Sequence, residues 1–282
     1  MSFENDDLNN QNLSDNNNFN SYYTQEDLSN TEWQGKTWGK DYTGHEPSYS
    51  YSGRTVAASE NIVSRLSDAM EGSVVTQSFI FMFVALLITA ITSLYVASSP
   101  RLMITVIDNY TMFIVAELAI VIITNITAQK NKLIPSTILF TLYTVINGIT
   151  LTPIFYVYTG TSIATTFFIT ATIFGVMAVY GLVTKKDLTS IGNLCIMALF
   201  GIILAGVVNM FLGNTMLDTG ISVLGIIIFI GLTAYDAQRI KQLSYVCGYE
   251  SVTCVALLGA IELYLDFINI FLKLLSLMGK RK

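Results

Sequence analysis

The sequence predicts an all-α membrane protein of seven transmembrane helices, and three observations carry that expectation. Of its 282 residues, 52% are hydrophobic and 12% charged, about half the charge that a soluble domain usually carries. The mean hydropathy is +0.55. The apolar residues are gathered into runs at roughly 76–98, 104–127, 133–158, 161–183, 189–212, 219–240 and 252–277. Each is near the ~20 residues that a bilayer requires. Backbone polar groups must be satisfied within lipid, so runs of this length are read as helices.

Ahead of the first run, residues 1–58 read as a disordered, acidic tail rich in Asn, Ser and Tyr, with 59–282 as the membrane domain. Residues 1–60 carry a net charge of −7, leaving the remainder at +2. The tail lacks the apolar periodicity needed to build a core, and it has neither the basic start nor the apolar stretch of a signal peptide. It holds both tryptophans (Trp33, Trp38) and the only histidine (His45), so protein partners are expected through this tail if anywhere. The stretch Asn61–Gly72 is amphipathic and is expected to lie on the membrane surface before the first span.

The breaks between runs coincide with local punctuation: Ser98-Ser99-Pro100-Arg101, Lys130-Asn131-Lys132, Tyr158-Thr159-Gly160, Lys185-Lys186-Asp187, Gly213-Asn214 and the polar segment Arg239–Glu250. Basic residues follow spans 2, 4 and 6, as Lys130 with Lys132, Lys185 with Lys186, and Arg239 with Lys241. The positive-inside rule therefore puts the N-terminal tail and those loops in the cytoplasm of a multi-pass cell-membrane protein. Seven crossings leave Lys280-Arg281-Lys282 outside, against the same rule, so the last segment either crosses fully or re-enters. Cys195, Cys247 and Cys254 form no Cys-x-x-Cys pair and have no neighbouring histidine, so they read as small apolar residues. Neither nucleic-acid binding nor a resident cofactor is expected.

The ionisable residues inside the spans are the candidate functional residues. A charged group at the bilayer centre costs about 2.5–3.5 kcal/mol even on insertion scales. Span 2 carries Glu117, and span 6 carries Asp236 with Thr233 one turn before it and Arg239 one turn after. Span 7 carries Glu262, Asp266, Asn269 and Lys273, whose spacings of four, three and four put them on one helical face. Such a stripe must face a bundle interior or a water path, which makes span 7 the expected central helix, with Ile268 and Leu272 toward lipid. Structural readings stand beside the functional ones: Asp236 paired with Arg239 at the membrane interface, and Glu262 paired with Asp266 or Lys273.

Three chemistries use buried carboxyls in a seven-span protein. An intramembrane aspartyl protease needs Gly-x-Gly-Asp at its second aspartate, where this chain has Leu-Tyr-Leu-Asp. A retinal protein using Lys273 as the Schiff-base amine is usually lined by tryptophan, and the spans contain none. An ion pathway needs carboxylates that ligate a hard cation and titrate as gates, which these residues supply. No enzymatic activity is expected.

Four strings carry a family resemblance: NGITLTPIFYVYT (147–159), SIATTFFITATIFGVMAVYGLVTKKDLTSIG (162–192), GLTAYDAQRIK (231–241) and LYLDFINIFLKLL (263–275). Through them the chain resembles the Bax inhibitor-1 (transmembrane Bax inhibitor motif) family in its bacterial branch, from about residue 60 to the end. The resemblance implies a seven-helix fold with the last helix central and two three-helix layers around it. It also implies a pH-sensitive calcium leak, with Asp236 and Asp266 as the proton sensor. Glu117, Glu262 and Asn269 then line the ion path, and Asp236, Asp266 and Glu117 are transient calcium ligands. Some members carry a latching base eleven positions after the span-2 glutamate; here that residue is Ala128. Lys130, Arg239 and Lys273 remain as the bases that could latch or gate. Family members are also linked to stress and cell-death control, so the alternative is a non-conducting membrane regulator that binds partner proteins.

Overall fold

A computed structural model describes residues 53–246 and 252–282. The tail residues up to 52, with Trp33, Trp38 and His45, lie outside the described residues, as does Cys247. The described residues form helices α1 (Gly53–Ala97), α2 (Pro100–Asp108), α3 (Tyr110–Gln129), α4 (Leu133–Leu151), α5 (Ile154–Val157), α6 (Gly160–Val183), α7 (Thr189–Leu212), α8 (Thr215–Val246) and α9 (Val252–Met278). Among these residues seven segments are long and apolar enough to cross a membrane: Gly72–Ala97, Tyr110–Gln129, Leu133–Val157, Gly160–Val183, Thr189–Leu212, Thr215–Ser244 and Val252–Met278.

Four boundaries differ from the sequence expectation, each for a local reason. The amphipathic stretch 61–72 is not a separate surface helix: α1 runs unbroken from Gly53, inside the segment assigned to the tail, through the first span. No proline interrupts it, and Gly72 alone does not break the ladder. Residues 104–108 belong not to span 2 but to the short helix α2, which starts at Pro100 and turns Met103 and Val106 inward. Pro is favoured at a first helical turn because its missing N–H would have no partner there. Span 3 is broken at Thr152-Pro153 into α4 and α5, since Pro153 has no N–H for the ladder and its ring crowds the preceding turn. Span 6 continues past residue 240 to Val246, because Gln238 and Lys241 use their polar ends to tie this helix to its neighbours.

The connections are short and specific. Asn131 takes a positive φ of 54° between α3 and α4, a conformation that Asn tolerates better than most residues. Gly213 ends α7 with φ 62°, the left-handed cap that glycine adopts without a Cβ penalty.

Helix α9 sits at the centre of the bundle. It packs against α1, α3 and α4 on one side and against α6 and α8 on the other. Within the layers, α4 contacts both α1 and α3, while α8 contacts both α6 and α7. Of the membrane-spanning window of α9, 67% is buried, against 0% for α7 and 11% for α3. Ile268, expected to face lipid, is therefore buried, and Leu272 is half-buried: a helix enclosed by others has no lipid face to give them. As α9 is one uninterrupted helix of 27 residues, about 40 Å at 1.5 Å per residue, the last segment is long enough to cross fully and does not turn back within the bundle. It emerges beside the α5–α6 connection, where Thr159 N donates to Lys280 O (3.1 Å) and Lys282 N to Val157 O (3.0 Å).

Lipid tails are as apolar as leucine, so burying Leu and Ile drives little association between spans; close packing and hydrogen bonds do. Gly148 on α4 illustrates this. A Cβ there would lie 2.6 Å from the Thr89 carbonyl oxygen of α1 and 2.8 Å from Thr92 Cβ. Replacing Gly148 by Val must push α1 and α4 apart. The expected cost is about 1–3 kcal/mol, read as a lower thermal midpoint in detergent; an unchanged midpoint would refute the close approach.

Candidate functional site

The polar residues of α9 fall on two sides. Asp266 and Tyr264 are two positions apart, about 200° around a helix of 3.6 residues per turn, so they address different neighbours.

On one side Asp266 meets α8. Its carboxyl lies beside that of Asp236 and the Thr233 hydroxyl, with Glu262 and Arg239 next to Asp236. Both aspartates are buried, and Asp266 Oδ2 has no hydrogen-bond partner. Thr233 already donates to the Phe229 carbonyl of its own helix at 2.8 Å. One turn toward the α8–α9 connection, Arg239 donates to Glu262 Oε1 at 2.8 Å, an ion pair with side chains 44% and 21% exposed. Asp236 is held at this depth by its neighbours. Gln238 donates to the Lys186 carbonyl and accepts from Leu188 N, both at 2.8 Å. Lys241 donates to the Leu182 carbonyl at the end of α6, at 3.1 Å. These bonds fix α8 against the α6–α7 connection.

On the other side Tyr264, fully buried, packs edge-on to Phe140 and Tyr143 with ring centroids 6.0 and 5.7 Å away. Its hydroxyl donates to Asn147 Oδ1 at 3.0 Å and lies 2.7 Å from Thr89 Oγ1. Asn147 in turn donates to Glu117 Oε1, and Thr150 donates to Glu117 Oε2 at 2.9 Å. One hydrogen-bonded chain thus links α1, α3, α4 and α9. Glu117 reads from sequence as a carboxylate without a charged neighbour at helical spacing; in the fold it is enclosed by donors from α4.

The sequence stripe divides accordingly. Asp266 joins Asp236, whereas Glu262 pairs with Arg239 and not with Asp266 or Lys273. Asn269 Nδ2 turns back to the Leu265 carbonyl at 2.8 Å. The stem of Lys273 lies against Gly225 of α8. Lys130 is exposed and has no ion-pair partner among the described residues, so it does not reach the aspartates; Arg239 is the base beside them. Among the described residues no cluster of three metal-ligating side chains forms. Cys195 and Cys254 are free thiols within helices.

Sequence reasoning missed Thr89, Asn147, Thr150 and Tyr264. A signal for them was present: a polar side chain inside a span must find a partner in the protein, and Asn147 is a strongly polar residue deep in span 3.

A seven-helix membrane bundle with a central last helix and a carboxyl pair between its sixth and seventh spans defines the class. The chain belongs to the Bax inhibitor-1 family: the family model described as inhibitor of apoptosis-promoting Bax1 matches residues 71–282. It is 42% identical to the inner membrane protein YbhL of Escherichia coli K12 over 212 residues, covering 73% of this chain and 91% of that protein. An uncharacterized protein of Borreliella burgdorferi is 40% identical over 210 residues, covering 72% and 90% respectively. One from Deinococcus radiodurans is 35% identical over 207 residues, covering 73% and 89%.

Tyr264→Phe keeps the ring contacts but removes the hydroxyl that links Asn147 and Thr89. The expected loss is about 1 kcal/mol of stability, the scale of a hydrogen bond between membrane helices. A thermal midpoint equal to wild type would show that the chain of bonds from Glu117 to Thr89 is not needed to hold the bundle.

Proposed function

We propose that this protein is a pH-sensitive calcium leak of the cell membrane, gated by a proton shared between Asp236 and Asp266. The observation that carries the reading is a carboxyl pair buried between two spans, with Asp266 Oδ2 unpartnered and the nearest guanidinium, Arg239, bonded to Glu262. Two carboxylates this close cannot both be charged cheaply without a counter-ion. A single proton between them satisfies the arrangement. Thr233 fits it as well, because a hydroxyl already donating to Phe229 is left as an acceptor for a protonated carboxyl. Raising the pH removes the proton, and repulsion between the two charges drives α8 and α9 apart. A divalent cation passing the gap would then meet two carboxylate oxygens in place of part of its hydration shell.

Glu117 is assigned to the ion path on the other side of α9, together with the residues that bond it. The proposed topology keeps the N-terminal tail cytoplasmic. Six bases (Lys130, Lys132, Lys185, Lys186, Arg239, Lys241) lie at the tail end of the bundle, against Arg101, Lys280, Arg281 and Lys282 at the other. The proposed role is passage of calcium ions and protons, not catalysis. The family description, inhibitor of apoptosis-promoting Bax1, favours a second reading, a non-conducting regulator that acts through partner proteins.

Calcium flux into liposomes, measured against pH, tests both. Asp236→Asn and Asp266→Asn should each abolish or displace the pH midpoint, because the titration belongs to the pair. Glu117→Gln should lower flux at every pH and leave the midpoint in place. Unchanged pH profiles in both aspartate variants would sink the sensor. Flux that survives deletion of residues 1–55 is expected of a pore; no flux with or without the tail would favour the regulator.

A further inference from the structure

At the end of the bundle where α9 emerges, a cleft of about 110 Å³ opens between α1, α4, α5, α6 and α9. Its wall is largely apolar, built from Leu151, Phe155, Phe167, Phe267 and Phe271, with two hydroxyls on α1, the bonded Thr89 and Ser93. Ser93 is 3% exposed, and its Oγ has no hydrogen-bond partner. Most serines and threonines buried in these spans donate to a carbonyl one turn back, as Ser78 does to Val74 (2.9 Å) and Thr170 to Thr166 (2.8 Å). An orphaned buried hydroxyl is costly, and this one borders a space that a further molecule could fill.

Directly beside the cleft stand three cations. Lys282 Nζ donates to the carbonyl of Phe155, a cleft residue, at 2.7 Å. Lys280 N donates to Ser162 Oγ at 3.0 Å, and Arg281 pairs antiparallel with Tyr158. Main-chain bonds thus hold Lys280, Arg281 and Lys282 in place, exposed, at the mouth of an apolar slot. Asp108 and Asp218 are the acidic side chains of this end of the bundle, and neither forms an ion pair with these three among the described residues. A fixed basic triplet at the end that the positive-inside rule leaves poor in bases calls for a counter-anion.

We infer that this cleft is a binding site for an anionic phospholipid of the adjoining leaflet. Its acyl chain lies among the phenylalanines, an ester carbonyl accepts from Ser93 Oγ, and the headgroup phosphate meets Lys280, Arg281 and Lys282. The depths agree. Ser93 is four residues from the end of α1 at Ala97, roughly 6 Å below it at 1.5 Å per residue, about the level of the ester groups beneath the phosphates. The main chain of the same three residues holds the α5–α6 connection to the end of α9, so the bound lipid would brace the exit of the central helix.

The test is native mass spectrometry of the full-length protein in detergent, with phosphatidylglycerol and phosphatidylcholine of identical chains as probes. Retention of phosphatidylglycerol should exceed that of phosphatidylcholine. It should fall about fivefold for each charge removed in Lys280→Gln and Arg281→Gln, the scale of one basic residue near an anionic headgroup. Ala90→Trp, at an exposed residue of the cleft rim, should block both lipids while leaving every charge in place. Equal retention of the two lipids by the native protein would overturn the proposal. So would full phosphatidylglycerol binding in the double charge variant or in Ala90→Trp.

Discussion

Helix α9 places a carboxyl, a phenol and an ion-paired glutamate inside a bundle that stands in lipid, where no water waits to satisfy them. That constraint organises the rest of the fold. Tyr264, Asp266 and Glu262 are each met by a neighbouring helix, and the helices that meet them are thereby positioned. Tyr264 reaches Thr89 and Asn147, drawing α1 and α4 to one side, and Asn147 passes the connection on to Glu117 of α3. Asp266 requires α8 on the other side. Helices α1, α3 and α4 meet the central helix directly on one side, and α6 and α8 on the other, with α7 held through α8.

The layers differ in how their polar groups are satisfied, and the difference bears on function. Glu117 is surrounded by donors, with both oxygens accepting from side chains of α4. Asp236 and Asp266 lie beside each other with Glu262 and Arg239 next to Asp236, and one oxygen of Asp266 has no partner. Two facing carboxyls with an unfilled acceptor are satisfied only by a proton or a cation between them. In the proposed mechanism, polar contacts therefore hold the first layer together while the junction of α8 and α9 supplies the titrating element.

Much of this was legible in the chain. Seven apolar runs fixed the class, and the i, i+4 and i+3 spacings from Glu262 to Lys273 identified the helix that had to be central. The failures have physical causes. Periodicity does not reveal that Pro153 divides span 3, since the apolar run continues across it. Ile268 was assigned to lipid because one polar stripe suggests an apolar back, whereas an enclosed helix is buried all round. The partner of Glu262 could not be chosen by spacing on its own helix, since Arg239 comes from α8. The network of Tyr264, Asn147 and Thr89 was overlooked because neutral polar residues at sequence separations above one hundred leave no local pattern; only their need for partners in lipid marks them.

The central claim is that Asp236 and Asp266 hold one proton between them. Infrared difference spectroscopy of the protein in lipid, recorded as the pH is raised, reads the carbonyl stretch of protonated carboxyls directly. One band should disappear in a single step for the native protein, and that step should be absent or displaced in Asp236→Asn and in Asp266→Asn alike. Two independent steps, or a band that either variant leaves unaltered, would contradict a shared proton.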